Sequence, residues 1–237
     1  MEMPVPSTRH PDRKIGARGE SPMAEAKKAK SATGEETKAR IVAATIRTLR
    51  DEGIRGASAR TIAKEGDFNQ ALIFYHFGSI DELVVAAVGD MSRRRMERHQ
   101  ERLEEAEKFS DLIRIARNLN SEDRESKEMT VLVQAFAGAS ANTEMGSQLF
   151  DELEPWSDMV GESIRRTLKD SPLATALPHD RVAQAISALF LGIELIDNLD
   201  PTRAYADDLF DTLEPLAVLL EGLVNSPLLD GLQPKGK

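Results

Sequence analysis

Apolar and small residues recur at intervals of three and four along almost the whole chain after residue 35, and no other feature constrains the fold as strongly. In the first such segment they fall at Ile41, Ala44, Thr45, Thr48 and Leu49. This spacing places side chains on one face of an α-helix, whereas a half-buried strand alternates at every second residue. The sequence shows neither strand-like alternation nor an internal repeat. The predicted fold class is therefore all-α.

Two segments near the C-terminus are apolar on more than one face. Residues 180–200 carry apolar side chains all round, and residues 205–224 repeat leucine at three- and four-residue steps. A helix that is apolar all round must be covered all round. We expect these two helices to form a homodimer interface as a four-helix bundle, with a central core helix of a monomer as the alternative. The interface residues are predicted to be Val182, Ile186, Leu189, Ile193, Leu209, Leu213, Leu216 and Leu220.

The net charge of −9 is distributed unevenly along the chain. Residues 1–34 carry seven Lys and Arg against four Asp and Glu, residues 35–99 carry eleven against ten, and residues 100–237 carry thirteen against twenty-six. A phosphate-binding surface is therefore expected near the N-terminus and not in the acidic remainder.

Cysteine is absent from the sequence, which excludes a disulfide framework, a thiolate metal site and a cysteine nucleophile. No apolar run approaches the roughly 20 residues that span a bilayer. A cytoplasmic protein with no membrane partner is expected.

Residues 1–34 are rich in Pro, Gly, Ser, Lys and Ala and lack a sustained apolar period, so they are predicted to be a disordered tail. The basic run "KKAK" at 27–30 leaves two interpretations open, a solvated tail or an arm that contacts DNA phosphates. A second basic run, Arg93 to Arg95, is predicted to lie on a solvated helix face.

Two short helical segments joined by a tight turn, near residues 58–65 and 69–76, have the form of a helix-turn-helix. Gly53 is predicted to end the preceding helix, and Ser58 and Asn69 are predicted to cap the two short helices. The second helix of this motif enters the major groove of DNA, where the Gln70 amide matches an adenine edge.

Four consecutive rings, residues 74–77, lie in that second helix. A helix turns by about 100° per residue, so the four rings cannot share one face. Phe77 lies four residues after Ile73, and both are expected in the core. Tyr75 and His76 point elsewhere, and their polar groups suit phosphates or bases.

The stretch from Thr37 to Leu83 resembles the DNA-binding domain of the TetR family of bacterial transcriptional regulators. The resemblance rests on "ARIVAATIRTLRDEG" (39–53), "SARTIAKEGDFNQALIFYHF" (58–77) and "SIDEL" (79–83). It implies an N-terminal three-helix DNA-binding domain over residues 35–95 and a C-terminal helical domain for effector binding and dimerisation over residues 96–237. The implied DNA contacts are Ser58, Arg60, Thr61, Asn69, Gln70, Ala71, Leu72, Phe74, Tyr75 and His76.

The same resemblance implies that the partners are double-stranded operator DNA, a small-molecule effector and a second copy of the chain, with no cofactor. Repression of a palindromic operator, relieved by the effector, is the family's usual role. The sequence departs from the family pattern at Ile80, where Lys is usual, at Phe74, where Tyr is usual, and at the turn residue Asp67, where Gly is usual. The first two departures imply fewer phosphate contacts, whereas Asp tolerates a left-handed turn.

The effector pocket is expected in the acidic C-terminal part, because pockets are mostly apolar and aromatic with few polar groups. Candidate lining residues are Met129, Val133, Phe136, Met145, Phe150, Trp156 and Met159, with ordinary core positions as the alternative. Flexible methionines favour a hydrophobic effector, and the acidity favours a cationic one, so both classes stay open.

Two other classes of function compete with a regulator. The four histidines are scattered, and no phosphate-binding glycine motif occurs, so no catalytic or metal-ligating residue and no enzymatic activity is predicted. A helical adaptor that binds only protein, with a degenerate helix-turn-helix, is the remaining alternative. Salt-sensitive DNA binding discriminates a regulator from an adaptor.

Overall fold

The computed structural model describes residues 22–171, 174, 177–200 and 205–224. These residues form nine α-helices and no strand, so the predicted all-α fold is confirmed. The helices are α1 (Pro22–Gly56), α2 (Ala59–Glu65), α3 (Ala71–Phe77), α4 (Ile80–Glu104), α5 (Phe109–Ser126), α6 (Glu128–Ala139), α7 (Thr143–Thr167), α8 (His179–Leu199) and α9 (Tyr205–Val224).

The chain divides into two compact units, residues 1–37 and residues 38–237. In the first unit, residues 1–21 lie outside the described residues, and residues 22–37 are helical. Residues 22–34, which include the basic run at 27–30, lie in α1, and the assignment of residues 1–34 to a disordered tail stays a prediction. The expected domain boundary at residue 95 lies inside α4, and that division stays a prediction.

Local signals in the sequence set the ends of the short helices. The Ser58 hydroxyl accepts a hydrogen bond from the Thr61 N–H at 3.1 Å, as an N-cap does, and the Ser79 hydroxyl accepts from the Glu82 N–H at the same distance. Gly53 interrupts α1 with a φ of 71°, in the left-handed region that favours glycine. The predicted cap at Ser58 and the predicted break at Gly53 are both confirmed.

Helices α2, α3 and the second-unit part of α1 pack with the start of α4 around a core that also takes residues from α6 and α7. We call this set the N-terminal core; its largest fully buried members are Ile41, Leu49, Ile62, Ile73, Leu83, Val84, Val88, Val131 and Leu149. Helix α3 supplies only Ile73 as a fully buried residue, and Phe77 packs against the cluster half-buried. The predicted core direction of these two side chains is confirmed.

A second core joins the end of α4 to α5, α7 and α8 through Leu103, Ala106, Leu112, Ile164 and Ala183. Helix α9 packs on α5, and α7 packs on both α4 and α8. Pro155 lies inside α7. Its side chain is exposed, so the ring adds no crowding to the packed side of the helix.

Helices α8 and α9 leave an apolar face exposed on the described surface. Four of the predicted interface residues, Ile186, Leu189, Leu216 and Leu220, are exposed. The other four, Val182, Ile193, Leu209 and Leu213, are half-buried within the chain. The exposed face extends further than predicted, through Leu195, Ile196, Leu199, Val218 and Leu219.

Across the described residues, no single helix combines the length and apolar composition needed to cross a membrane. Helices α3 and α4 meet both criteria only as a pair, and they bend by 70° where they join. Ile73, Leu83 and Val84 of that pair lie in the N-terminal core, which accounts for their apolar character.

Candidate DNA interface and effector cavity

The turn between α2 and α3 is held by close packing against α1. A Cβ at Gly66 would lie 2.2 Å from the Phe68 ring, so this position requires glycine. Asp67 has a φ of 51°, and the Arg40 guanidinium donates to its carbonyl oxygen at 3.3 Å. Arg40 also lies over the Phe68 ring at 5.7 Å. These contacts fix α3 against α2, and Asp67 adopts the left-handed turn expected of it.

The beginning of α3 presents an exposed, mostly polar surface. Asn69, Gln70 and Ala71 are exposed, and the Gln70 side chain makes no capping hydrogen bond. One turn later the Tyr75 side chain is 80% exposed and the Phe74 ring 51% exposed. These groups project from one short helix in the manner of a base-contacting surface.

Three predicted residues are placed differently from what was expected. The N-cap of α3 is Gln70, and Asn69 instead accepts from the Ala71 N–H at 2.9 Å, so the predicted cap is off by one residue. Leu72 is half-buried against the N-terminal core and does not stand with the exposed residues. His76 is half-buried, with its ring edge-on to Tyr75 at 4.9 Å.

Helix α2 places cations beside this surface. Arg60 and Lys64 are exposed and line a shallow depression together with Asn69 and Gln70. Lys64 is not among the predicted DNA contacts, although it lies four residues after Arg60 and so shares its helix face. Ser58 and Thr61 bond to each other, with hydroxyl oxygens 2.7 Å apart. Ile80 packs against the N-terminal core, consistent with the loss of a phosphate contact there.

A small apolar cavity of about 90 Å³ lies among α4, α5, α7 and α8. Its walls are formed by Arg95, Leu103, Phe109, Leu112, Ile113, Ala116, Leu119, Trp156, Val160, Ser163, Ile186, Ser187 and Phe190. Among the seven predicted effector-binding residues, Trp156 alone lines it. Ile186, predicted in the dimer interface, also reaches its wall.

The other predicted effector residues lie elsewhere. Met129 and Met145 are buried in the N-terminal core, and Phe136 packs against it, so their placement in a pocket wall is corrected. Val133 is half-buried, and Met159 packs on the second core. Phe150 is 65% exposed and lines an open groove of about 600 Å³ between α7 and α8, where four carboxylates, from Asp151, Glu154, Asp158 and Asp180, form part of the rim.

A buried cluster of charged groups adjoins the cavity. The Arg95 guanidinium donates to both carboxylate oxygens of Asp123, at 3.1 and 2.6 Å. It also lies 4.0 Å from the centre of the Trp156 ring and 5.4 Å from that of Phe190. The prediction of a solvated face is wrong for Arg95, because its partner lies on another helix, but it holds for the exposed Arg93 and Arg94, which pair with Asp90.

Burial shifts the pKa of two groups in this cluster in opposite directions. Desolvation, followed by the charge of Arg95, lowers the pKa of His99 to about 4. Desolvation, followed by the charges of Asp123 and Asp197, raises the pKa of Glu194 to about 7, although Asn120 donates a hydrogen bond to it. Near neutral pH, His99 is therefore uncharged, and the pKa of Glu194 lies close to the pH of the solution.

Comparison with known proteins places the helix-turn-helix in a family. Residues 41–87 match the sequence model described as "Bacterial regulatory proteins, tetR family". No curated protein matches the whole sequence significantly.

Several solved structures share the fold. FadR from Bacillus subtilis, determined in complex with stearoyl-CoA, is 13% identical with a TM-score of 0.63, covering 76% of this chain and 96% of its own. The multidrug binding protein EbrR, complexed with imidazole, is 24% identical with a TM-score of 0.54, covering 76% and 94%. A transcriptional regulator from Rhodococcus sp. Rha1 is 21% identical with a TM-score of 0.57, covering 82% and 96%.

These identities establish the likeness of fold. The likeness to the tetR family of bacterial regulatory proteins is established for residues 41–87, which include the helix-turn-helix built by α2 and α3.

Proposed function

We propose that the protein is a transcriptional regulator of the TetR family, namely a homodimeric repressor that binds a palindromic operator and is released by a small-molecule effector. The observation that carries the proposal is the exposed face of α3, with Gln70 and Tyr75 beside the cations Arg60 and Lys64. Operator DNA lies in the bacterial cytoplasm, so the protein acts there.

The side chains of this face suit different parts of DNA because they differ in chemistry. Gln70 can bond the N6 and N7 atoms of adenine in a bidentate manner, which selects a base pair. Arg60 and Lys64 attract phosphates without regard to sequence. Tyr75 offers a hydroxyl to either kind of partner, and Ser58, Thr61 and His76 lie close enough in the chain to support the backbone contacts.

Dimerisation is supported by the apolar face of α8 and α9. Leu189 and Leu220 are about half exposed there, and apolar patches rimmed by polar groups mark protein interfaces. A two-fold dimer presents two α3 helices, as a palindrome requires. Replacing Leu189 and Leu220 together by Glu is expected to yield a folded monomer in analytical ultracentrifugation and to weaken operator binding strongly. A double variant that stays dimeric would reject this interface.

Helix α4 connects the cavity to the surface at α3. It begins beside α3 at Ile80 and carries Arg95 and Leu103 into the cavity wall, over a length of roughly 37 Å at 1.5 Å per residue. An effector that prefers one position of α4 shifts the population of dimers whose α3 helices suit the operator. A coupling of about 1–3 kcal/mol changes DNA affinity by roughly 5- to 150-fold.

The test is selection of bound sequences from random duplex DNA, followed by titration of the enriched sequence at several salt concentrations. We expect a palindrome, and an affinity that falls steeply as salt rises because counterions are released from the neutralised phosphates. Gln70→Ala is expected to relax the preference at one position of each half-site while leaving the salt slope unchanged.

Gln100→Ala is the matched control, because Gln100 is exposed on α4 and its amide donates to Glu104, on the same helix, at 2.7 Å. It is expected to leave selection unchanged. Absence of any enriched sequence at low salt, with the helical dimer intact, would overturn DNA binding by the free protein and favour a helical adaptor.

A further inference from the structure

We propose that the effector is a small, uncharged, apolar molecule with a hydrocarbon body of about four carbon atoms, bound in the cavity beside Trp156. This assignment rests on the proposed function, because it gives a chemical class to the effector of that regulator. The sequence left a hydrophobic and a cationic effector open. The chemistry of the cavity wall favours the hydrophobic one.

The cavity wall is apolar apart from three side chains, those of Arg95, Ser163 and Ser187. The Ser163 hydroxyl donates to the carbonyl oxygen of Met159, one turn earlier on α7, at 2.9 Å. The hydroxyls of Ser187 and Ser157 bond to each other between α8 and α7, also at 2.9 Å. Both hydroxyls of the wall are therefore already engaged within the chain, and a polar ligand gains little from them.

Arg95 is the charged residue of the wall, and its charge is compensated within the chain. The guanidinium donates to both carboxylate oxygens of Asp123, and both side chains are buried. An anionic ligand would have to compete with Asp123 for this guanidinium, and a cationic ligand would lie close to a like charge. Burial of a charge without a partner is costly, so the cavity disfavours both kinds of ion.

The carboxylates of the open groove between α7 and α8 lie outside this cavity. Asp151, Glu154, Asp158 and Asp180 are exposed to water, and none of them lines the cavity wall. A cation attracted to these carboxylates would stay in a groove open to solvent, where charges are strongly screened. The acidity of the C-terminal part therefore does not make the cavity a cation site.

The volume of the cavity sets the size of the ligand. About 90 Å³ corresponds to roughly three water molecules in the liquid. An engineered cavity of about 150 Å³ in another protein, lined by Leu, Ile and Phe, stays dry and binds benzene. The wall here has the same kinds of side chain, among them Leu112, Leu119, Ile113 and Phe190, around a smaller space. A short alkyl chain suits that space better than an aromatic ring.

The experiment uses the intrinsic fluorescence of Trp156, the chain's single tryptophan, which is half-buried in the cavity wall. The full chain is titrated without DNA with the straight-chain alcohols from ethanol to hexanol. Each added methylene should tighten binding about fourfold, equivalent to about 0.8 kcal/mol, until the cavity is filled at about the length of butanol. Beyond that length the affinity should level off, whereas adsorption to an exposed apolar surface would keep rising.

A second titration varies the head group at constant chain length. Butylammonium and butyrate should each bind at least about tenfold more weakly than butanol, because each would bring a charge into an apolar cavity. 1-Chlorobutane, which has no hydroxyl, should bind at least as tightly as butanol. The rise in unfolding temperature with each probe gives a second measure of binding that does not depend on fluorescence.

Two substitutions on α5 locate the binding site. Ala116→Leu adds three carbon atoms to the cavity wall and should abolish butanol binding. Ala137→Leu makes the same change at an exposed position on α6 and should leave butanol binding unchanged. Ile113→Val enlarges the cavity by one methylene, a change that cores tolerate well, and should move the levelling of affinity from butanol to pentanol. Circular dichroism verifies that each variant is folded.

Four results would each overturn the assignment of an uncharged apolar ligand to this cavity. They are butylammonium or butyrate binding as tightly as butanol, affinity that rises through hexanol without levelling off, butanol binding undiminished in a folded Ala116→Leu variant, and no binding of any probe by either measure.

The proposed function is judged separately by selection of DNA sequences. Absence of an enriched operator would reject the repressor, whereas the titrations without DNA still decide the class of ligand. Where an operator is found, butanol should weaken its binding at least about fivefold, the lower end of typical coupling between two sites. Butanol that fills the cavity and leaves operator affinity unchanged would overturn its assignment as an effector.

Discussion

The surface at α3 and the cluster around Arg95 differ in the exposure of their polar groups to water. At α3 the polar groups are exposed, with Gln70 and Tyr75 in water and the cations Arg60 and Lys64 beside them. Around Arg95, Asp123 and Glu194 are buried, and their charges interact through a medium that screens them poorly. The first arrangement suits reversible contact with a charged polymer. The second is sensitive to protonation, because burial raises the pKa of Glu194 to about 7.

The difference implies that substitutions will separate into two kinds. Changes at the α3 surface should alter DNA affinity and leave the free energy of unfolding almost unchanged, because exposed residues contribute little to it. Changes in the buried cluster should alter the free energy of unfolding first and affect DNA only through the shape of the protein.

The largest effect is expected from Asp123→Ala. The substitution leaves the Arg95 guanidinium buried without its bidentate partner, so the free energy of unfolding should fall by about 3–5 kcal/mol in urea titrations. Glu65→Ala is the control, because Glu65 pairs with Arg47 at 2.6 Å where both side chains are more than 40% exposed. It should cost at most about 1 kcal/mol. Equal losses of unfolding free energy in Asp123→Ala and Glu65→Ala would contradict the expected difference between the buried and the exposed ion pair.

Glu194→Gln should stabilise the protein at alkaline pH. The carboxyl keeps its proton to about pH 7 in the folded state and loses it near 4.5 in the unfolded state, so wild type loses stability as pH rises through that window. A neutral amide avoids this loss and still accepts from Asn120. The variant should equal wild type near about pH 4.5 and exceed it by about 1–3 kcal/mol at about pH 8.

The opposite slope due to His99 is common to both proteins, and so are the neighbouring groups Arg95, Asp123 and Asp197. These contributions cancel to first order when the difference between the variant and wild type is plotted against pH. A difference that does not depend on pH would contradict the raised pKa of Glu194.

Tyr75→Ala should reduce operator affinity by about 1–3 kcal/mol, the range of a good side-chain contact with DNA, and leave the free energy of unfolding within about 0.5 kcal/mol. Tyr75→Phe distinguishes the contribution of the hydroxyl to affinity from that of the ring. The variant keeps the ring and loses the hydroxyl, which alone donates to a phosphate or base. Affinity is measured by fluorescence anisotropy of a labelled operator. A lower free energy of unfolding in Tyr75→Ala than in wild type would show that the exposed ring contributes to stability.

A modest effect on stability is expected at Ser58. Ser58→Ala removes the cap of α2 and should cost about 1 kcal/mol, whereas Ser58→Asp keeps a cap of similar strength and should cost little. If Ser58 lies near the phosphate backbone, the Asp variant should bind operator more weakly than the Ala variant, because like charges repel. The order of the two variants would then be reversed between unfolding and DNA titrations.

The sequence was sufficient where the signals were local. The cap at Ser58, the break at Gly53 and the inward direction of Ile73 follow from a few neighbouring residues. The cap of α3 was predicted one residue early, because Asn69 bonds the backbone two residues on in a way that resembles a cap.

The buried cluster could not be predicted, because its partners are distant in the chain. Nothing near Arg95 distinguishes it from Arg93 and Arg94, and its burial depends on Asp123, 28 residues away, and on rings from α7 and α8. For the same reason the methionines chosen as pocket residues proved to be core, whereas the cavity wall is mostly Leu, Ile and Phe.

The anchoring of α3 by one fully buried residue, Ile73, and two half-buried ones, Leu72 and Phe77, has an evolutionary consequence. The exposed positions Ala71, Phe74 and Tyr75 can change without disturbing the interior, so new operator preferences are open to single substitutions that leave the protein folded. Duplicated genes can diverge in their DNA targets while the buried pair of Arg95 and Asp123, which tolerates few changes, stays the same. In such a lineage the operator preference is expected to change faster than the interior of the helical domain.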